Sequence, residues 1–357
     1  MSQGELLLEG VLARVSRSFY LSLVLLPRET RATTALAYLL ARAADTVADT
    51  RLVPAAHRLE QLDALAATFQ GQAAPPARAA LLAELAALEQ SPDATPEEHR
   101  LLRELEPCLA ALEALPPLEQ GLVRRVLATL TSGMQADLRR FGDEACELRA
   151  LETRAELRTY CYEVAGCVGE FWSRLHAARL PRVGRRVRAE LGPWVEDGVA
   201  LGRALQLTNV LRDLRRDLAH GRCYLPRQDL AAHGLVPADL LDPDAWPRLR
   251  PLYRELVDVG LRDAWAGVRY TRQIPSHAFT LRLAGLLPLL LAVRTLGAVL
   301  AGNPLAAPAK VSRGVVYRAL GQALLTARDE RGLGRLFRAT LREAGLSSAS
   351  PPRRSGP

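Results

Sequence analysis

Lysine is nearly missing from this chain: Lys310 is the single one among 47 basic residues, and arginine supplies the rest. Such a skew reflects genome composition rather than a selected chemistry. Aromatic residues are also scarce, at 5% against a hydrophobic content of 49% dominated by Ala and Leu. A sheet protein would need more Val, Ile, Thr and aromatics, so the balance points to an all-α fold. No CxxC occurs among Cys108, Cys146, Cys161, Cys167 and Cys223. An odd, dispersed set of thiols fits a reduced, cytoplasmic protein better than a disulfide framework. The six histidines form no HExxH and no close pair, which argues against a zinc site. No G-x-G-x-x-G precedes a helix, so a nicotinamide cofactor would bind without the Rossmann fingerprint. No compact basic run with interleaved aromatics appears, which argues against nucleic acid as a partner despite a net charge of +8. The start, MSQGELLLEG, lacks the basic n-region of a secretory signal. No run of 18 uncharged apolar residues exists. The nearest, Leu281 to Leu300, is interrupted by Arg282 and Arg294, so it reads as a buried helix or one lying at a membrane surface rather than a spanning one.

With 357 residues the chain can bury a substantial core as one large domain or two small ones. Strand signals are nearly absent and no composition shift marks a boundary. The expectation is one all-helical domain over 1–346 with a disordered tail over 347–357. Helices are expected at 5–26, through Asp45, at 57–70 and 77–90, and from Leu118 to Phe141. Further helices are expected over Leu151 to Leu175, through Gly202 to Asp217, and at 249–273, 277–300 and 312–329. Pro27, Pro75-Pro76, Ser91 to Pro96, Pro116-Pro117, Gly221 and Pro237 to Pro251 punctuate them. Thr95 and Glu98 form a capping-box signature. In the Leu151–Leu175 segment, Gly and Ala residues three to four apart would admit another helix or an apolar ligand at close range.

Two stripes carry the chemistry. Tyr38, Arg42, Asp45 and Asp49 fall at offsets 0, 4, 7 and 11 of an Ala/Leu helix, hence on one face. Gln206, Asn209, Asp213 and Asp217 fall at 0, 3, 7 and 11 of another, with Arg212 adjacent. A single DxxxD pair also suits a solvated helix edge. Two of them on apolar helices, each beside an arginine, point elsewhere. If the two helices face each other across a bundle core, four uncompensated carboxylates would be strongly destabilising. Occupied by Mg²⁺ and a diphosphate, the same oxygens become a phosphate-binding site.

Four segments in order resemble the squalene/phytoene synthase family, the head-to-head prenyl diphosphate synthases. Ser16-Arg17-Ser18-Phe19-Tyr20 is similar to its SRSF segment, and Arg42-Ala-Ala-Asp45-Thr-Val-Ala-Asp49 to its first aspartate-rich motif. Tyr160-Cys-Tyr-Glu-Val-Ala-Gly-Cys-Val-Gly169 resembles YCxxVAGxVG. Gln206-Leu-Thr-Asn209-Val-Leu-Arg212-Asp213-Leu-Arg-Arg-Asp217 resembles QxTNxxRDxxxD, followed by Gly221-Arg222-Cys-Tyr224-Leu-Pro226. The likeness covers roughly residues 14–230 and fades towards 320.

The resemblance implies a single-domain isoprenoid synthase-type helical bundle with a central apolar cavity. It implies Mg²⁺ held by Asp45, Asp49, Asp213 and Asp217, and diphosphate oxygens held by Arg17, Arg42, Arg212 and Arg222. Ser16, Ser18, Tyr38, Gln206 and Asn209 would complete the lining, and Tyr160 would assist the proton removal that closes a cyclopropane. Two farnesyl diphosphates would give presqualene diphosphate and then squalene, with hydride from NADPH. Phytoene or dehydrosqualene synthesis, from geranylgeranyl or farnesyl diphosphate and without NADPH, shares every motif. The setting of the first motif, Gly133-Met-Gln-Ala-Asp137, and the basic Lys310-Val-Ser-Arg313 lean towards squalene, with Lys310 and Arg313 as the NADPH-binding candidates. Gly-Arg-Cys-Tyr-Leu-Pro leans towards phytoene. A non-catalytic scaffold of this fold would lack the aspartates. A nonpolar product makes peripheral membrane contact attractive, whereas oligomeric state has no signature.

Overall fold

The computed structural model describes residues 23, 25–49, 53–87, 101–142 and 148–346. The expected 5–26 helix, the Ser16-Arg17-Ser18 segment, the Thr95/Glu98 capping box, Cys146 and the 347–357 tail lie outside them, Leu23, Leu25 and Leu26 excepted. Helix accounts for almost everything described, and the chain groups into two compact units: 1–143 with 174–179, and 144–173 with 180–357.

In the first unit, α1 (Arg28–Asp49) starts directly after Pro27, whose carbonyl accepts the Thr30 hydroxyl at 3.3 Å. It is followed by α2 (Ala55–Phe69), α3 (Pro75–Ala87), α4 (Leu105–Glu113) and α5 (Pro117–Phe141). α5 begins with Pro at its first position, where no amide hydrogen is needed. α1 packs on α2, α4 and α5. Leu36, Leu39, Leu40, Val47, Leu62, Leu65, Phe69, Val123 and Leu127 are fully or nearly fully buried there. Two polar ties fix α1 within this apolar contact. The buried Arg58 of α2 donates to the Ala48 carbonyl at 2.8 Å, and Thr33 bonds the buried Glu119 carboxylate of α5.

The second unit opens with β1 (Arg149–Ala150), which pairs in parallel with β2 (Arg222–Cys223). Next come α6 (Arg154–Cys161), a π-helical turn at Tyr162–Gly166, and α7 (Cys167–Arg179), whose last six residues group with the first unit. After α8 (Pro181–Val187) come α9 (Leu191–Ala219), α10 (Arg227–Ala232), α11 (Trp246–Gln273), α12 (Phe279–Ala301), α13 (Arg313–Thr326) and α14 (Gly332–Glu343).

Four expectations change. The 151–175 helix starts at Arg154, where the Thr153 hydroxyl accepts the Glu156 amide at 3.2 Å, and it is broken by the π turn. α11 starts at Trp246 rather than at 249, so Pro251 lies deeper inside it than expected. Pro251 is the sixth residue of the helix, past the first turn, so it removes one amide-to-carbonyl bond that the rest of this 28-residue helix tolerates. The helix expected at 312–329 ends at Thr326. Beyond it, α14 was not expected, although Leu333, Leu336, Phe337, Thr340 and Leu341 repeat at 0, 3, 4, 7 and 8 and are all buried.

α9 lies chiefly along α11, with α12 against both. Trp194 is fully buried, stacked on Tyr270 at 4.7 Å and donating to that residue's carbonyl at 3.1 Å. α12 is long and apolar enough to cross a membrane by length and composition, yet most of it is buried inside this unit. Its two arginines point inward and bind the fold. Arg282 donates to the carbonyls of Ile274 (2.7 Å) and Ala327 (3.0 Å), and burial lowers its pKa. Arg294 reaches Gln322 at 2.6 Å and Glu343 at 2.9 Å. The buried reading of Leu281–Leu300 is the one observed.

Candidate active site

On α1, every residue from Thr33 to Asp49 is buried except Tyr38, Ala41, Arg42, Asp45 and Asp49. The open stripe of this helix is therefore the predicted one. Arg42 forms an ion pair with Asp45, while the Arg42 carbonyl accepts the Thr46 hydroxyl at 2.9 Å. Both charged partners are about a third exposed, so the pair is partly screened and open to replacement by another charge.

On α9, Gln206, Asn209, Arg212, Asp213 and Asp217 are half-buried, set among the buried Leu207, Thr208, Val210, Leu211, Leu214 and Leu218. Arg212 forks onto Asp213, with Nε donating to Oδ1 at 2.8 Å and the second nitrogen to Oδ2. That contact raises the Arg212 pKa, and the charge of Asp217 adds to the effect. Asn209 donates to the Gln206 side-chain oxygen at 3.3 Å, and the Gln206 amide donates to the Tyr160 hydroxyl at 3.4 Å. The Tyr160 ring stacks on Tyr224, with centroids 4.4 Å apart and planes 20° apart. The second unit thus brings together Tyr160, Gln206, Asn209, Arg212 and Asp213 in one polar row. Tyr224, quoted in a motif but not expected to act, belongs to that row, and only the tertiary structure reveals its stack.

The backbone explains how the π turn and the start of α7 come so close to α9. A Cβ on Gly169 would stand 2.1 Å from the Gly198 carbonyl oxygen, and one on Gly202 would stand 2.4 Å from the Ala165 oxygen. Of the two uses the glycines could serve, approach of another helix is the one seen. The π turn at Tyr162–Gly166 sits at this contact. A forked pair, Arg203 to Asp263 at 3.1 Å for both nitrogens, ties α9 to α11 one turn before Gln206. Burial pushes the Cys161 and Cys167 thiols up to about 12, so neither is a nucleophile at neutral pH.

Arg222 is half-buried on β2. Lys310 and Arg313 are exposed at the start of α13, where Ser312 caps the helix by accepting the Val315 amide at 3.4 Å. α13 packs on α12 and α14. Ser16, Arg17 and Ser18 lie outside the described residues.

Among the described residues no group of three or more His, Cys, Asp or Glu side chains is placed to hold a metal. Each stripe instead offers two carboxylates one helical turn apart. Mg²⁺ is ordinarily held by one or two carboxylates, with waters and substrate phosphate completing its shell, and the donor sets fit that mode.

The squalene/phytoene synthase family profile matches residues 12–315. A phytoene synthase of Thermus thermophilus is 42% identical over 106 residues, covering 30% of this chain and 32% of the relative. A presqualene diphosphate synthase of Zymomonas mobilis is 33% identical over 172 residues, covering 47% and 52%. The chain spans about a third of the length of the curated relatives it matches, and about half of the Zymomonas protein. Among solved structures, a TcSQS complex with the ligand BPH1237 superposes with a TM-score of 0.75 at 20% identity, covering 98% of this chain and 94% of that one. A ligand-bound dehydrosqualene synthase superposes with a TM-score of 0.62 at 21% identity, covering 90% and 95%. These likenesses carry the fold.

Proposed function

The chain belongs to the squalene/phytoene synthase family, and we propose that it condenses two prenyl diphosphates head to head through a cyclopropyl diphosphate. The observation that carries this reading is the row Tyr224, Tyr160, Gln206, Asn209, with Arg212 and Asp213 next along the same helix. It joins an oriented phenol to a charged stripe set among the buried Leu207, Val210, Leu211 and Leu214 of the same helix.

Bound Mg²⁺ would neutralise the leaving diphosphate's charge, with Asp45 and Asp49 on α1 and Asp213 and Asp217 on α9 as its holders. The chain's own groups do the rest. Arg42 and Arg212, whose guanidinium forks now rest on carboxylates, suit diphosphate oxygens, as do Arg222 and Arg17. Tyr38 faces outward from the α1 stripe and would lie along a substrate. The Gln206 amide and the Tyr224 ring fix the Tyr160 phenol, leaving its oxygen able to help remove the proton lost as the cyclopropane closes.

For the product, redox-neutral chemistry of the phytoene or presqualene type is the leading reading, supported by the names of the matched relatives. Lys310 and Arg313 are two exposed cations at a helix start and do not by themselves build a nicotinamide site. The redox-neutral condensation needs no hydride donor. The second reading, squalene with NADPH, rests on the Tyr38–Thr46 setting of the first motif, the Gly133–Asp137 segment and that basic helix start. Incubation with farnesyl or geranylgeranyl diphosphate and Mg²⁺, with and without NADPH, followed by product extraction, separates them. Phytoene, dehydrosqualene or presqualene diphosphate irrespective of NADPH supports the first. Squalene formed only with NADPH supports the second. No turnover of either substrate overturns both.

A further inference from the structure

Helix α13 is amphipathic in an inverted sense. The residues it turns inward are small: Ala319 and Ala323, with Ala327 just past its end, are completely buried. The residues it turns outward are large. Val316 is 37% exposed, Tyr317 71%, Leu324 44% and Leu325 86%, which makes half of the exposed large hydrophobics among the described residues. They are not scattered. Tyr317, the half-buried Leu320 and Leu324 fall at offsets 0, 3 and 7, one turn after Arg313, with Val316 and Leu325 on either flank, so an apolar stripe headed by a cation looks outward.

The charge around that face has one sign. Lys310 and Arg313 stand at its start and Arg318 along its edge, all exposed. No acidic residue occurs between Asn303 and Arg328. The next ones, Asp329 and Glu330, lie past the helix end and are engaged by Arg335 and Arg282. The helix itself is firmly held by its inner side, through Gln322 to Arg294 and Glu343.

We propose that the outer face of α13 docks on an anionic lipid surface. Large apolar side chains bordered by arginine and lysine match the boundary between acyl chains and acidic headgroups: Leu and Tyr enter, and the long cationic side chains extend to the phosphates. A second copy of the chain fits worse. A two-fold contact would bring the same face onto itself, and that face carries cations with no carboxylate of its own to pair with them. On this reading Lys310 and Arg313 meet lipid phosphate rather than a dinucleotide. The proposal is independent of which prenyl product forms.

The test is co-flotation of the full-length protein with vesicles of phosphatidylcholine alone or mixed with phosphatidylglycerol, with binding as the readout. The wild type should float with the anionic vesicles, less so at high salt, and not with the neutral ones. Tyr317→Ser/Leu325→Ser, both on exposed positions, should lower the bound fraction about tenfold with an unchanged circular dichroism spectrum. Arg318→Gln should remove part of the preference for anionic lipid. The proposal is overturned if the wild type stays unbound or the double variant binds equally. It is also overturned if light scattering shows a wild-type dimer that the double variant converts to monomer, which would give the face to a second copy.

Discussion

Placing a methyl group at Gly202 tests the geometry of the site more sharply than removing any charged residue. The Cβ of Gly202→Ala would sit 2.4 Å from the Ala165 oxygen, and 2.9 Å from both the Ala165 carbonyl carbon and the Gly166 Cα. A carbon and a carbonyl oxygen need about 3.3 Å, so the shortfall is about 1 Å. All three neighbours are backbone, and no rotamer change relieves them. α9 and the π turn must therefore separate. Overpacking of this kind costs about 1–3 kcal/mol, offset by up to about 1 kcal/mol of helix propensity gained over glycine. In a chain of 357 residues the net loss should lower Tm by about 1–4 °C. The functional loss should be larger in proportion. Gln206 lies one turn beyond Gly202, and its 3.4 Å contact with the Tyr160 hydroxyl is already long, so a further 1 Å ends it. Misplacement on that scale costs about a hundredfold in turnover. The assay is kcat and KM for consumption of the prenyl diphosphate, beside the thermal midpoint. Gly192→Ala is the control, because it lies on the same helix with nothing within 4 Å of its Cβ position, and it should be neutral or slightly stabilising. Wild-type Tm and kcat in Gly202→Ala would refute the reasoning, as would equal losses in both variants.

Asp45→Asn and Asp213→Asn should each lower turnover by about a hundredfold or more and weaken Mg²⁺-dependent thermal stabilisation by a farnesyl diphosphate analogue; an active double variant would remove both residues from the metal's service. Arg282→Met should strand the Ile274 and Ala327 carbonyls in the core and cost about 2–3 kcal/mol, read from the denaturant midpoint; an unchanged midpoint would mean water satisfies them. Burial raises the Glu163 carboxyl above its ordinary value, so the folded state keeps that proton to higher pH than the unfolded chain. Stability then falls as pH climbs through the raised value, and the penalty is complete above it. Glu163→Gln should therefore raise Tm at neutral pH and leave it unchanged near pH ~3; equal gains at both would point to packing rather than ionisation.

The two stripes were legible in the sequence because their spacing is a local property. Tyr38, Arg42, Asp45 and Asp49 share a face in any α-helix, and the structure leaves that face open while burying nearly all the rest of Thr33–Asp49. The same holds for Gln206, Asn209 and Asp213 on α9. What stayed hidden depends on contacts between distant segments. The π turn at Tyr162–Gly166 goes with the approach of Gly198 and Gly202, some forty residues away, and single-segment periodicity carries no trace of it. The Tyr160–Tyr224 stack and the two-residue pairing of Arg149 with Arg222 are long-range in the same sense. α14 is different: its apolar repeat at Leu333 to Leu341 is a local property and stands in plain form in the sequence.

That division also explains why a family is easier to read from this chain than a product. Binding a diphosphate fixes both residue type and spacing, because carboxylates and guanidinium forks must reach charged oxygens from adjoining turns. The length of a prenyl chain is fixed by apolar side chains, among which Ala, Val and Leu exchange for about 0.8 kcal/mol per methylene and leave the hydrophobic pattern unaltered. A sequence so rich in Ala and Leu repeats the same pattern on walls of different depth. On the proposed function, the choice between C15 and C20 substrates would rest on side-chain volume at positions that no motif marks, and it must be measured at the level of substrate choice.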